Sequence, residues 1–223
     1  MNYLKSESEG IALLQTHFAD MGEIGSYNAA EGKFEVNEQV KFYLKQKLRN
    51  DWNFNTFGRA MCSNLNERAA RFVFFGLAEG LEYLHETAKI AHQAIRPESL
   101  VFATPVGSTD NRSNARAQFA NLKHLCELPK NRGEAEKLRK LNMNGLFSAP
   151  EMFDESEFAG VYDPQAVDVW ALGVCLFAFV FEEMPFKSEA EILGQRRPTC
   201  PVQKPVSTEL MELIKALLQR DPE

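Results

Sequence analysis

The chain has 223 residues, 44% hydrophobic and 25% charged, which are the proportions of a globular protein long enough to bury one sizeable core or two small lobes. A formal net charge of −6 argues against a nucleic-acid-binding face or an anionic membrane surface as partner, since both select basic surfaces. MNYLKSESEG has no apolar stretch of the secretory kind, and the longest apolar run, ALGVCLFAFVF at 171–181, falls short of the roughly 20 residues a bilayer requires. That run reads as a buried core helix. Cys62, Cys126, Cys175 and Cys200 are far apart and show no CxxC spacing, so neither a zinc site nor a redox pair is indicated, and a reducing cytoplasmic setting fits.

In chain order, residues 3–18 present Leu4, Ile11, Leu14 and Phe18 near one face of a helix. GEIGSYNAAEGK breaks that pattern, and GKFEV and VKFYLKQKL then mix apolar and polar residues as half-buried strands do, the second being equally compatible with a helix. Asn66 can cap a long amphipathic helix to about residue 86, with Glu67 in its first turn and Val73, Leu77, Gly80, Leu81 and Leu84 recurring at helical spacing. ATPVGSTDNRSN at 103–114 is a loop by composition, and EAEKLRKLN at 134–142 is a charged, solvated helix. Asp168 to Phe181 is apolar on nearly all sides, as a central helix is. The proline-rich stretch at 195–206 is a connector, and Ser207 caps a last helix from Glu209 to Gln219 with Leu210, Leu213, Ile214 and Leu217 as its stripe.

Taken together, EGLEYLHETAKIAHQAIRPESLVF, QFA, SAPE, DVWALGVCLFAFVFEEMPF and LLQRDPE stand in the order and spacing of a known family. The chain resembles the C-terminal lobe of a eukaryotic protein kinase over about residues 65–223. ARFVFFGLAEGLEYLH and the phenylalanine-rich central helix are most similar to the calcium/calmodulin-dependent protein kinase kinase group. The resemblance implies a mainly α (α+β) fold. Residues 1–64 would be the remnant of a small lobe and hinge, and 65–223 a helical large lobe ending before its final helix.

By resemblance, His92 matches the histidine of the catalytic loop, Gln93 stands for the arginine that reads an activation phosphate, and Ala94 for the catalytic aspartate. Arg96 stands for the loop lysine and Ser99 for a magnesium-binding asparagine. Gln118, Phe119 and Ala120 stand for the DFG metal motif. A methyl group cannot accept a proton, and loss of a general base costs roughly 10²- to 10⁴-fold in rate. Magnesium favours carboxylate and phosphate oxygens, which a hydroxyl and a neutral amide replace poorly. No glycine-rich loop or VAIK-type lysine is found, so Glu9, a candidate for the small-lobe glutamate, has no lysine to pair with. This implies a reduced small lobe or a fragment of a longer chain. Between Phe119 and Phe147 there is no Ser, Thr or Tyr, so phosphate acceptor and phosphate reader are missing together.

The resemblance gives Asp168 the task of accepting hydrogen bonds from the loop backbone. Trp170 and Gly173 become packing positions, and Glu151 a carboxylate whose arginine partner would lie beyond Glu223. His17, His85 and His124 show no ligand spacing. Three readings follow. The first is a pseudokinase that binds or regulates a protein partner, which could be another kinase, with no metal and no cofactor. The second is a weak Ser/Thr kinase using Mg-ATP with Glu98 or Asp110 recruited as base. The third is a truncated product without a role.

Overall fold

The structure, a computed structural model, describes residues 2–6, 11–15, 22–50, 67–103, 115–129, 145–153, 162–194, 198, 201 and 204–219. Its first elements are strands β1 (Asn2–Ser6) and β2 (Ile11–Gln15), paired antiparallel with Leu4 opposite Leu13. This corrects the helix expected over 3–18. Two short apolar runs separated by the polar SESEG suit a hairpin, and counting only Leu4, Ile11, Leu14 and Phe18 passed over that break. Glu9 and His17 lie outside the described residues.

A second hairpin joins β3 (Gly25–Asn28) to β4 (Lys33–Val36), the latter being the strand expected in GKFEV. Its turn is held by Asn28, whose side-chain oxygen accepts from the Ala30 and Glu31 amides, and by Gly32 at φ +65°. Gly25 is required for a different reason: a Cβ there would sit 2.4 Å from the Phe34 ring and 2.5 Å from the Glu35 carbonyl oxygen. VKFYLKQKL takes its helical alternative as part of α1 (Glu38–Asn50). Asn37 caps it by accepting from Gln39 N–H at 2.8 Å, and Val40, Tyr43 and Leu44 turn inward at helical spacing.

The core is built on two helices. Helix α2 (Glu67–Glu82) buries Ala69, Ala70, Val73, Phe74, Leu77 and Leu81, and continues into one π-helical turn, Tyr83–Thr87. Helix α4 (Pro164–Phe181), capped by the Asp163 carboxylate accepting from Gln165 N–H, is buried on almost every side. Its length and hydropathy alone would suit a membrane span, but it is the centre of the core, with Phe179 packed between Phe34 and Phe74. The short helix α3 (Pro150–Phe153) begins in SAPE, and α5 (Glu189–Leu193) follows α4.

Helix α6 (Thr208–Leu217) starts where Ser207 Oγ accepts from Leu210 N–H at 3.1 Å, and packs against α4 at Gly173, where any Cβ would come within 2.7 Å of Leu217 Cβ. Four short strands complete the described part. β5 (Ile90–Ala91) pairs with β8 (Cys126–Glu127), and β6 (Leu100–Ala103) with β7 (Arg116–Phe119), both antiparallel. Of the loop expected at 103–114, Ala103 ends β6 and the rest lies outside the described residues, as do the helix expected at 134–142 and most of 195–206.

Candidate functional site

The loop between β5 and β6 carries His92, Gln93, Ala94, Arg96 and Ser99, and Asp168 of α4 lies beneath it. The Asp168 carboxylate, 1% exposed, accepts from His92 N–H at 2.6 Å and from Gln93 N–H at 2.7 Å. A third contact, His85 Nε2 at 3.0 Å from Asp168 Oδ2, comes from the π-helical turn at the end of α2. A buried carboxylate demands such donors, because an unsatisfied one is costly out of water. The sequence reading missed His85. The spacing of histidines along the chain says nothing about a partner 83 residues away.

Gln93 sits at φ +62°, a backbone region that non-glycine residues rarely adopt, and three bonds hold it there. Besides the bond to Asp168, its side-chain amide donates to Pro164 O at 2.9 Å and accepts from the Tyr162 hydroxyl. Both ends of the amide are therefore used inside the protein. Burial pushes the Tyr162 hydroxyl far above the usual phenol range, so it remains a donor.

His92 is fully buried and its ring is a relay between elements. Nδ1 accepts from Ala94 N–H at 3.3 Å, and Nε2 donates to Ala120 O at 2.9 Å, which assigns the proton to Nε2. Desolvation lowers its pKa, and the Asp168 charge only partly opposes this, so the ring stays neutral. It also packs on Phe119, with ring centroids 5.3 Å apart. Gln118, Phe119 and Ala120 are thus brought beside the loop: Gln118 pairs with Val101, Phe119 with Leu100, and Ala120 N–H donates to Ser99 O at 2.7 Å.

Ser99 does not point an idle oxygen at this space. Its buried hydroxyl donates to Arg96 O at 2.8 Å and accepts from Arg96 N–H at 3.0 Å, closing a 3₁₀ turn at Pro97–Ser99. Arg96 pairs with Glu98 at 3.1 Å, and Glu98 also accepts from Tyr27 N–H at 3.4 Å, so the carboxylate considered as a substitute base is already engaged. Asp110 lies outside the described residues. Ala94 is buried and offers only its methyl group.

The remaining expected positions are structural in their contacts. Trp170 stacks on Phe186 at 5.6 Å with planes 9° apart, and Gly173 admits α6. Glu151, expected to lack its partner, is half-buried and not free: its own backbone donates to it, while burial raises its pKa. Burial likewise pushes the Cys126 thiol up to about 11 and the Cys175 thiol well above its ordinary value, so neither is a ready thiolate. Among the described residues no cluster of three or more His, Cys, Asp or Glu is placed to hold a metal.

The protein kinase domain, as a family, matches residues 34–223, which takes in the loop, QFA, SAPE and α4. The chain belongs to the protein kinase family. Its curated relatives include a probable serine/threonine-protein kinase of Dictyostelium discoideum, 30% identical over 174 residues, covering 74% of this chain and 22% of that protein. The human SNF-related serine/threonine-protein kinase is 29% identical, over 84% of this chain and 23% of its own length. Human serine/threonine-protein kinase ULK3 is 28% identical, over 71% of this chain and 31% of its own length. The chain thus spans between about a fifth and a third of these kinases. The family match begins at Phe34, inside β4, so residues 22–33, which include β3, precede it.

Proposed function

We propose that this chain is a pseudokinase: a kinase large lobe that binds or regulates a protein partner, another kinase being one candidate, without transferring phosphate. The observation that supports it is a loop held in a well-bonded shape around chemistry that is absent. Asp168, His92 and Gln93 fix the loop, yet Ala94 supplies no base. Phosphoryl transfer depends on positioning and on electrostatic stabilisation of the phosphates, so these substitutions strike at its basis.

Mg-ATP does not fit the residues present. The Ser99 hydroxyl is spent on Arg96, Gln118 carries no charge, and Ala94 has no ligand atom. The Gln93 amide, tied to Pro164 and Tyr162, leaves no cation at that position to hold an activation phosphate. Further elements of the reading are a cytoplasmic setting, no nucleic acid or membrane as partner, and likeness to the calcium/calmodulin-dependent protein kinase kinase group.

The second reading, a weak Ser/Thr kinase, draws on the names of the relatives and on the intact loop scaffold. Purified chain incubated with radiolabelled Mg-ATP and a generic basic protein decides between them. The pseudokinase reading expects no incorporation and no rise in melting temperature with Mg-ATP, since a ligand bound in excess of its Kd must stabilise the native state. Incorporation that disappears in Arg96→Ala overturns it.

A further inference from the structure

We infer that the outer face of α2 is the interface of a two-fold symmetric dimer, its occupant being a second copy of this chain. Helix α2 packs its inner side on β7 and α4. Its outer side carries Arg68, Arg71, Phe75, Ala78, Glu79 and Glu82, all exposed, the Phe75 ring at 64%. At about 3.6 residues per turn these positions fall within one stripe about 100° wide. The stripe has an order: arginines toward the start of the helix, an aromatic ring in the middle, glutamates toward the end. That order opposes the helix dipole, which favours anions at the start and cations at the end, so the stability of α2 itself does not explain it.

The stripe is complementary to itself when turned end for end. Arg71 and Glu79 each stand four residues from Phe75, and Arg68 and Glu82 each stand seven. A second copy laid antiparallel, with the two-fold axis at Phe75, therefore sets Arg71 level with the Glu79 of that copy and Arg68 level with its Glu82, and symmetry makes each pairing twice. Half-buried Phe72 comes level with exposed Ala78, a large side chain facing a small one. Phe75 meets its own symmetry mate on the axis, where an aromatic pair adds to the area it buries. A parallel pairing in register would oppose arginine to arginine and glutamate to glutamate, so the charges select the antiparallel arrangement. Arg68 is also engaged within its own chain, which leaves the main part of that selection to Arg71 and Glu79. One helix pair makes a small interface, so the dimer is a weak one, with a Kd between micromolar and millimolar. None of these residues belongs to the His92–Ser99 turn, and the inference does not rest on the pseudokinase reading.

The test is sedimentation equilibrium of the full chain from micromolar to millimolar concentration, with two charge reversals, Arg71→Glu and Glu79→Arg. Each reversal alone makes both positions carry the same sign, so each variant repels its own kind. Mixed together, the two variants present opposite signs across the axis at both positions. The expected result is a concentration-dependent dimer of the unsubstituted chain, association weakened roughly tenfold or more in either variant, and recovery of the dimer in the equimolar mixture. Both sites are exposed, so the fold is not at stake, and circular dichroism checks this. Should either reversal fail to fold, Phe75→Ala decides: it removes the ring from the axis and must also weaken the dimer. A chain that stays monomeric throughout overturns the inference and leaves the α2 face to a partner of other chemistry. So does a dimer indifferent to the reversals, which would use another face, and so does a mixture that stays monomeric.

Discussion

Replacing Asp168 by alanine tests the central claim about the loop. The substitution removes the acceptor of two buried backbone amides, His92 N–H at 2.6 Å and Gln93 N–H at 2.7 Å, and of the His85 contact at 3.0 Å. Leaving a buried donor unsatisfied costs about 1–3 kcal/mol. Two amides therefore give about 2–6 kcal/mol before any relaxation, a large share of the roughly 5–15 kcal/mol that a folded domain possesses. Asp168→Asn keeps one acceptor oxygen but turns an NH₂ toward a donor, so it should recover about half the loss at most. Urea unfolding followed by far-UV circular dichroism measures the difference, with an unchanged slope showing that the same cooperative unit unfolds. A loss below about 1 kcal/mol for Asp168→Ala would mean that the loop does not hang on this carboxylate.

Gly173→Ala gains about 1 kcal/mol in helix propensity but must push α6 off α4, because the new methyl would meet Leu217 Cβ at 2.7 Å. Overpacking costs about 1–3 kcal/mol, so a net destabilisation in urea is expected. Ser207→Ala removes the cap of α6, and also the bond to Glu67 of α2, for a loss of about 1 kcal/mol. Acidification should destabilise the chain through His92. Its folded pKa is lowered by burial, so the unfolded state binds the proton first, and stability present above the ordinary value of 6.5 is lost progressively as pH falls below it. In His92→Asn, melting temperature against pH should run flatter below 6.5 than in the unsubstituted chain.

The helical half of the fold was legible because its signals are strong and local. The apolar run from Asp168, the Leu77–Leu81–Leu84 spacing and the cap at Ser207 each report one element's own burial or terminus. The first hairpin was misread because a few apolar residues fit two periods, and only pairing between strands decides. Within the site, the identity of each substituted position could be read from the order of motifs, but its commitments could not. Along the sequence Ser99 reads as a short metal ligand, whereas in the fold the Arg96 backbone takes up both its hydroxyl donor and a lone pair. The Gln93–Tyr162 tether and the His85–Asp168 contact join residues 69 and 83 positions apart, and no pattern along the chain encodes such distances.

The helix that carries Asp168 is the same one that carries Phe177, Phe179 and Phe181. What keeps the His92–Ser99 turn in shape is thus anchored in hydrophobic packing rather than in any group that would touch a reactant. Under mutation the two can part company: the side chains that the turn presents can drift freely, while the anchorage survives for as long as the protein must fold at all. A well-ordered His92–Ser99 turn is therefore a record of the demand to fold rather than of chemistry retained.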